Sequence, residues 1–383
     1  MLQFQGCIMC ILYDIILYIF SFTEWIFVRK IGRKVHLMAP NGLIKRIGEG
    51  SFIRLSNGSL LFAFTEFLGG REDEDIARIS VISSKDEGES WSESKVLFEK
   101  AEKDLNIMSF SFLRMNNGDI GAFYIVKNKD GSDIIVIRRS DDEGESWSEP
   151  QNCLATLEKP DYYILNNDRV VKLKNGRILL PLARHTIYDN DEELHKGELC
   201  FFYSDDDGYT WNKTAQELKT PFPNDKIGFQ EPGLYELPDG KLWCYIRTLL
   251  GYQYECYSED NGQTWSTPEP NLFLSSPASP MSVKDFKDLT VAIFNPIPEH
   301  VLRDDDAEFW GRTPYTMAVR KKGEPSFTQK NLFYLEDDLN NGYCYPATIE
   351  GEDYLLVAYY HSNNTDCCLN STKIIKIMYE ELK

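Results

Sequence analysis

The chain carries no excess of positive charge. Its 41 Lys and Arg stand against 60 Asp and Glu, a formal net charge of −19. Phosphate backbones are bound through a basic stripe, so nucleic acid is excluded as a partner. An acidic small molecule is not, because charges beyond a Debye length of about 8–10 Å are screened and a local arginine cluster still holds an anion. The plain consequence of the charge is solubility. A disulfide framework is also missing: the nine cysteines are odd in number and lack its spacing. Cys200, Cys244 and Cys256 lie in strand-like apolar runs and read as small core residues. Adjacent Cys367 and Cys368 are poor partners for each other. This usage points to a reducing compartment, so a cytoplasmic location is favoured over a secreted or membrane-anchored one. Cys7 and Cys10 have no second pair, and no metal site is expected. No HExxH, P-loop, GxGxxG after a strand or GxSxG occurs. Metal hydrolysis, nucleotide binding and serine-esterase chemistry lack support, and no cofactor is expected.

Residues 1–35 stand apart from the rest. Ile8 to Phe27 is mostly apolar, interrupted by Asp14 and Glu24, and no Lys or Arg precedes it. The positive start of a signal peptide is therefore absent. Arg29, Lys30, Arg33 and Lys34 follow, which for a membrane anchor would leave the C-terminal part cytoplasmic. An anchor, an odd signal segment, an upstream extension from a mis-assigned start and a packed accessory segment all compete. The last two are preferred, because the pattern beyond is complete without this stretch. Membrane contact is expected only if residues 8–27 are a true anchor.

What the chain has instead is a short stretch written four times. SKDEGESW ends at Trp91, SDDEGESW at Trp147, SDDDGYTW at Trp211 and SEDNGQTW at Trp265. The form is Ser-x-Asp-x-Gly-x-Ser/Thr-Trp, and successive tryptophans are 56, 64 and 54 residues apart. Each copy follows a β-branched or aromatic run such as Ile134-Ile135-Val136-Ile137. Ser and Asp side chains bond nearby backbone, Gly accepts positive φ, and the Trp returns to apolar surroundings. The stretch is read as a staple on a strand connection. As a calcium loop it lacks the bidentate Glu and flanking helices of an EF-hand. Ahead of each copy lies a hairpin, around Asn57-Gly58, Asn117-Gly118, Asn175-Gly176 and Asp239-Gly240.

A four-strand unit repeated every 40–60 residues is the signature of propeller blades. The repeated stretch is similar to the Asp box, and four copies resemble the sialidase (neuraminidase) superfamily. Residues 36–383 divided among six blades give 58 per blade, close to the Trp spacing. The expectation is an all-β, six-bladed β-propeller of four-stranded antiparallel blades. A fifth box has decayed to Arg320-Lys321-Lys322-Gly323-Glu324-Pro325-Ser326-Phe327. Closing the ring needs pairing between N- and C-terminal strands, which removes an edge.

In a propeller the site lies on the axis, so its residues are spread along the chain. Gln230 to Arg247 is similar to the sialidase stretch in which a Glu precedes a strand pair ended by an Arg. That resemblance places Glu231 as the group polarising a tyrosine nucleophile and Arg247 in a triad gripping the substrate carboxylate. Arg312 resembles the third arginine of that triad. Tyr343-Cys344-Tyr345 looks like the nucleophile segment, and both Tyr343 and Tyr345 are candidates. A neutral phenol suits a sugar whose anomeric carbon carries a carboxylate that would repel Asp or Glu. The acid would come from the loop Gly69 to Ile76, with Asp73 or Asp75 filling the role; as a charge run, it also reads as a solvated face. The first arginine is the departure. Counting back from Asn57-Gly58 places Gly48 where sialidases have it, with Arg46 close by but out of register and Glu49 added.

Asn166-Asn167-Asp168-Arg169 and Arg184-His185 flank the third hairpin and would face the axis. Asn167, Asp168, Arg169 and His185 are therefore further candidates for binding sugar; a structural histidine is an equal reading. The expected partner is a glycan or glycoside. The expected function is an exo-acting retaining glycosidase of the sialidase type, removing a terminal acidic sugar. Its rivals are a non-catalytic carbohydrate-binding propeller and a glycosidase or lyase of other specificity.

Overall fold

The computed structural model describes residues 28–158, 161–185, 196–298, 312–362 and 369–383. The apolar stretch 8–27, with Cys7 and Cys10, and the pair Cys367-Cys368 lie outside the described residues. Among these residues no helix is long and apolar enough to cross a membrane.

Six antiparallel sheets succeed one another along the chain, five of four strands and one of five. Blade one is Ile44–Arg54, Leu60–Leu68, Ala77–Ser84 and Lys95–Phe98. Blade four is Gln230–Glu236, Leu242–Arg247, Tyr252–Ser258 and Glu269–Ser275. In blade three the inner strand is broken, so Tyr162–Ile164 and Val171–Lys172 both pair with Ile178–His185. Blade six takes three strands from the C-terminus, Tyr343–Glu350, Tyr354–His361 and Ser371–Met378. Its fourth, Arg33–Met38, comes from the N-terminal end. The ring is thus closed by the expected pairing of chain ends, Arg33 opposite Lys376 through Met38 opposite Thr372.

The fold begins ahead of residue 36. Ile31 is buried among Val319, Phe333 and Ile375, and Lys30 pairs with Glu336 and Asp337. Strands alternate large apolar side chains onto both faces because each face packs on a neighbouring blade, as in Ile53, Phe110 and Val136 between blades one and two.

The Asp boxes close the outer turns. In the first, Ser84 Oγ donates to Asp86 Oδ1 at 2.8 Å and accepts from Gly88 N at 2.9 Å. Asp86 also accepts from Ser90 N at 2.9 Å and from Ser90 Oγ at 2.5 Å. The set recurs around Asp142, Asp206 and Asp260. At the centre two residues run left-handed, Glu87 at φ 57° and Gly88 at φ 82°, which is why the second is Gly. The box aspartates thus spend their oxygens on Ser, Thr and backbone.

These hydrogen bonds hold the carboxyls of Asp86 and Asp142 down at about 2. A carboxyl depressed on folding contributes stability that is whole above its unfolded value near pH 4 and lost as pH falls through about 2. The urea midpoint is expected to fall between about pH 4 and pH 2. An Asp86→Asn, Asp142→Asn double variant is expected to start lower at neutral pH and lose less over that window. Parallel profiles would remove the boxes from the acid sensitivity.

Candidate active site

A regular strand sends alternate side chains to its two faces, and here both faces are occupied by neighbouring blades. A β-bulge breaks that alternation. In blade one, Gly48 pairs with Thr65 and Ser51 with Ala63, so Glu49 and Gly50 share one partner position. Ser109-Phe110, Glu231-Pro232 and Tyr345-Pro346 do the same on the inner strands of blades two, four and six. The first residue of each pair is left-handed, with φ of 55° at Glu49, 55° at Ser109, 41° at Glu231 and 56° at Tyr345. Asp168, φ 56°, lies in the break of blade three. Non-glycine residues there are held against a cost of about 1–3 kcal/mol each.

These side chains meet across the ring. The Tyr345 hydroxyl donates to Glu231 Oε1 at 2.6 Å, and Arg247 Nη1 lies 2.7 Å from Glu231 Oε2. Arg247 Nη1 also donates to the Tyr345 hydroxyl at 3.4 Å. Arg312 places its guanidinium 5.5 Å from the centre of the Tyr345 ring. Its Nη1 donates to Cys344 Sγ at 3.2 Å and its Nη2 to Ala278 O at 3.3 Å. Burial pushes the Glu231 carboxyl up, but the Arg247 charge and the Tyr345 hydrogen bond outweigh it and hold it below the usual range. Burial and the Glu231 charge push the Tyr345 phenol well above its ordinary value. The pair is therefore an ionised carboxylate beside a neutral phenol.

A second cluster adjoins it. Tyr360 meets Tyr345 edge to face at 5.7 Å. Arg46 Nε donates to the Tyr360 hydroxyl at 2.9 Å, Nη1 to Arg71 O at 2.7 Å, and Nη2 reaches Glu49 at 3.0 Å and Asp73 at 2.6 Å. The Arg46 guanidinium lies 3.8 Å over the Phe67 ring. Ser109 Oγ and the Tyr360 hydroxyl both donate to Glu49. Burial raises the Glu49 carboxyl, against Arg46. Burial also pushes on Asp73, but the Arg46 charge and hydrogen bond hold it below its ordinary value. The Asp73 side chain is 49% exposed, within reach of a ligand.

A family model described as a BNR repeat-like domain matches residues 58–358. The chain belongs to the BNR repeat-like family. Its architecture is that of the sialidase superfamily of six-bladed propellers. The anhydrosialidase of Macrobdella decora is 29% identical over 144 residues, which span 36% of this chain and 17% of that protein. Among solved structures, a leech intramolecular trans-sialidase complexed with 2,7-anhydro-Neu5Ac superposes with a TM-score of 0.71 at 16% identity, covering 93% of this chain and 71% of that one. The NanB sialidase of Streptococcus pneumoniae gives 0.70 at 14%, covering 93% and 71%. An intramolecular trans-sialidase from Ruminococcus gnavus gives 0.69 at 15%, covering 88% and 95%. These structural likenesses establish the fold.

Within this BNR-repeat propeller the sequence candidates separate. Tyr345 meets Glu231. Tyr343 is buried against Tyr315 and Tyr359, with its hydroxyl on Asp338 O at 3.2 Å, so it belongs to the core. Asp73 faces Arg46, whereas Asp75 accepts from Glu72 N at 2.8 Å and packs against Gly70, closing its own loop. Arg46 is in the site after all, and Gly48 is not a vacancy. A β-carbon on Gly48 would fall 2.0 Å from Tyr360 Cε1, so the strand passes flush against that ring. The bulge after Gly48 is what defeats regular counting from the turn.

Asn167, Asp168 and Arg169 lie on the axis but spend themselves on other blades. Asn167 Nδ2 donates to Gly50 O at 2.8 Å, and Asp168 accepts from Ser51 Oγ at 2.8 Å. Arg169 donates to the Tyr245 hydroxyl at 3.0 Å and to Met281 O. They are inter-blade ties. His185 sits 3.1 Å from Gln230 Oε1, one residue from Glu231, and edge-on to Tyr162. Sequence reasoning missed Ser109, Tyr360 and Asn106, whose amide holds the acidic loop by Asp73 O at 2.6 Å and Asp75 O at 2.9 Å. Ser109 was findable: Glu49, Ser109 and Glu231 each stand eight residues before Asn57, Asn117 and Asp239.

Gly48→Ala is expected to lower the thermal midpoint, an overpacking effect of about 1–3 kcal/mol, and to weaken any activity along with it. Restoration by Tyr360→Ala in the same chain is the check. An unchanged Gly48→Ala protein would mean that the Tyr360 ring is not held where it touches this strand.

Proposed function

We propose that the protein is an exo-acting, retaining glycoside hydrolase of the sialidase type, acting on a terminal acidic sugar of a glycoconjugate. The observation that carries this is the 2.6 Å hydrogen bond from Tyr345 to Glu231, which joins blades four and six. A propeller that only binds sugar has no need of a buried phenol aimed at a buried carboxylate. In the proposed first step the Tyr345 oxygen bonds to the anomeric carbon as the glycosidic bond breaks, and the phenol proton passes to Glu231. Asp73 gives its proton to the departing oxygen. In the second step Asp73 takes a proton from water, the water oxygen attacks the anomeric carbon from the face that the leaving group vacated, opposite Tyr345, the bond to Tyr345 breaks, and Glu231 returns the proton to the phenolate. Arg247 and Arg312, joined by Arg46, supply the planar donors that a carboxylate accepts.

A second reading has its own support. Arg46 is already engaged by Glu49 and Asp73, a composition of charge that also suits a sugar of other specificity on the same scaffold.

Chromogenic glycosides, sialosides included, are expected to release chromophore. Tyr345→Phe should lower turnover by about a thousandfold or more and Glu231→Gln by about a hundredfold or more, both with native circular dichroism. Products need reading as well as release, since two of the structural neighbours bear the name intramolecular trans-sialidase. Sugar binding without turnover on any glycoside would replace the enzyme by a lectin.

The pH dependence follows from Asp73. The acid must carry a proton, and Arg46 holds its carboxyl low in the free protein, so kcat/KM should fall as pH rises through the acidic range. Asp73→Asn should lower the rate and flatten that limb. A rate independent of pH from about 4 to 8 would take Asp73 out of the acid role.

A further inference from the structure

The fifth box is shorter than the other four. Lys321 pairs with Leu289 on the ladder as Ser258 pairs with Leu242, but Phe327 comes after six residues where Trp265 comes seven after Ser258. The box aspartate is lost and Trp gives way to the smaller Phe. A cleft of about 530 Å³ opens beside it, between blades four and five. It lies at the hairpin-turn end of the strands. Glu231 is the second residue of the strand Gln230–Glu236, which ends just before Leu237 at this cleft, six residues and about 20 Å away, so the cleft is at the opposite end from the candidate active site.

The cleft has an aromatic lining, with Trp243 and Phe327 buried and Tyr257 and Phe273 half-buried. Arg320 is 6% exposed, lies over the rings of Trp243 and Phe327, and donates from Nη1 to Pro325 O at 2.9 Å. Two buried donors that line this cleft, Arg320 Nε and Trp243 Nε1, have no hydrogen-bond partner among the described residues. Buried N–H groups left unmet are costly, and each asks for an acceptor. Acceptors for a ligand's own donors stand in the same wall, at Glu255 and Glu324. Against the cations Arg320 and Lys241 are set three carboxylates, Asp239, Glu255 and Glu324, so the cleft offers an anion no net attraction.

We infer that this cleft is a second carbohydrate site, which takes one pyranose unit of a neutral saccharide. A pyranose matches each feature at once. Its C–H face lies on aromatic rings, a small turn of the Arg320 and Trp243 side chains brings their closed-over N–H groups to its hydroxyl oxygens, and its hydroxyl protons go to the carboxylates. An aromatic acid would meet the three carboxylates, and a purely apolar ligand would leave both donors unmet. The site is independent of any chemistry at Tyr345.

The test is titration of the full chain with methyl β-galactoside, methyl α-glucoside, N-acetylglucosamine and, as the acidic comparison, N-acetylneuraminic acid, monitored by calorimetry and by the indole N–H signals of the seven tryptophans. The Trp243 signal, assigned by Trp243→Phe, is expected to shift saturably with at least one sugar. Tyr257→Ala and Phe273→Ala should bind about tenfold more weakly, while Tyr345→Phe binds as the parent does. The indole shift reads the site in the unaltered protein, so a variant that folds poorly does not decide the matter. No saturable shift with any neutral sugar would overturn the inference. So would binding lost in Tyr345→Phe and kept in both cleft variants, or binding confined to N-acetylneuraminic acid.

Discussion

The site depends on a backbone conformation that the blades would otherwise avoid. Inner strands of a propeller crowd toward the axis with both faces packed, so a regular strand has no direction left for a side chain to face its counterparts across the ring. The left-handed bulge supplies one. Glu49, Ser109, Glu231 and Tyr345 occupy it in four blades and Asp168 a related break in a fifth, and their contacts run between blades: Ser109 to Glu49, Tyr345 to Glu231, Ser51 and Thr348 to Asp168. None is glycine, the residue that adopts this φ without strain. Strained residues gathered at one place, each carrying a polar group, mark where the fold gives up local stability for a shared site. The cost is carried by the blade interfaces, through apolar clusters such as that of Phe123, Ile137 and Phe202.

The Asp boxes do the complementary work at the other end. They look like chemistry because acidic residues recur in them, yet the central aspartate of each is consumed within its own box, and neighbours such as Glu143, on Ser56 and Arg114, tie the box to other strands. Their effect on function is indirect. A closed turn fixes where a third strand ends and a fourth begins, which fixes the register of each blade and so the position of its inner bulge. In the fifth blade the device has decayed. The blade survives, since Phe327 still packs on Trp243, but the outer turn no longer fills the space beside blade four.

Fold and site were legible to different depths for this reason. Four boxes and four Asn/Asp-Gly turns declare the blades, because turn chemistry and strand pattern are local. Glu231, Arg247 and Arg312 were named through resemblance to sialidases, and the structure brings all three to Tyr345. Tyr343 and Tyr345 were not separable, because residues two apart share a face on a regular strand; the bulge sends Tyr345 to the axis and leaves Tyr343 in the core. Asp73 and Asp75 differ only in how their loop folds back on Gly70. Counting from the turn passed over Arg46, since the bulge between Gly48 and Ser51 intervenes. Asn167 and Arg169 were expected to face the axis, and the structure spends their side chains on Gly50 O, Tyr245 and Met281 O of other blades. Those ties were invisible, because inter-blade hydrogen bonds have no sequence period.

The electrostatics of the two arginine-bearing clusters bear on which sugar the proposed reaction would take. Arg312 rests on a thiol and a carbonyl, and sulfur is a weak acceptor, so an incoming carboxylate gains there at little loss. Arg46 has five N–H donors and already places them on Tyr360, Arg71 O, Glu49 and Asp73. A carboxylate arriving at Arg46 must share the guanidinium with Asp73, the most exposed of these partners. Sharing weakens the charge that holds the Asp73 carboxyl low, and a second anion nearby pushes it up as well. Asp73 then takes up the proton that an acid must have. A neutral sugar brings no such anion and leaves Asp73 ionised beside Arg46. On the proposed mechanism, substrate charge and the arming of the acid are therefore one event. Selectivity for an acidic sugar then arises in the catalytic step as well as in binding, through an arginine that is already engaged before the substrate arrives.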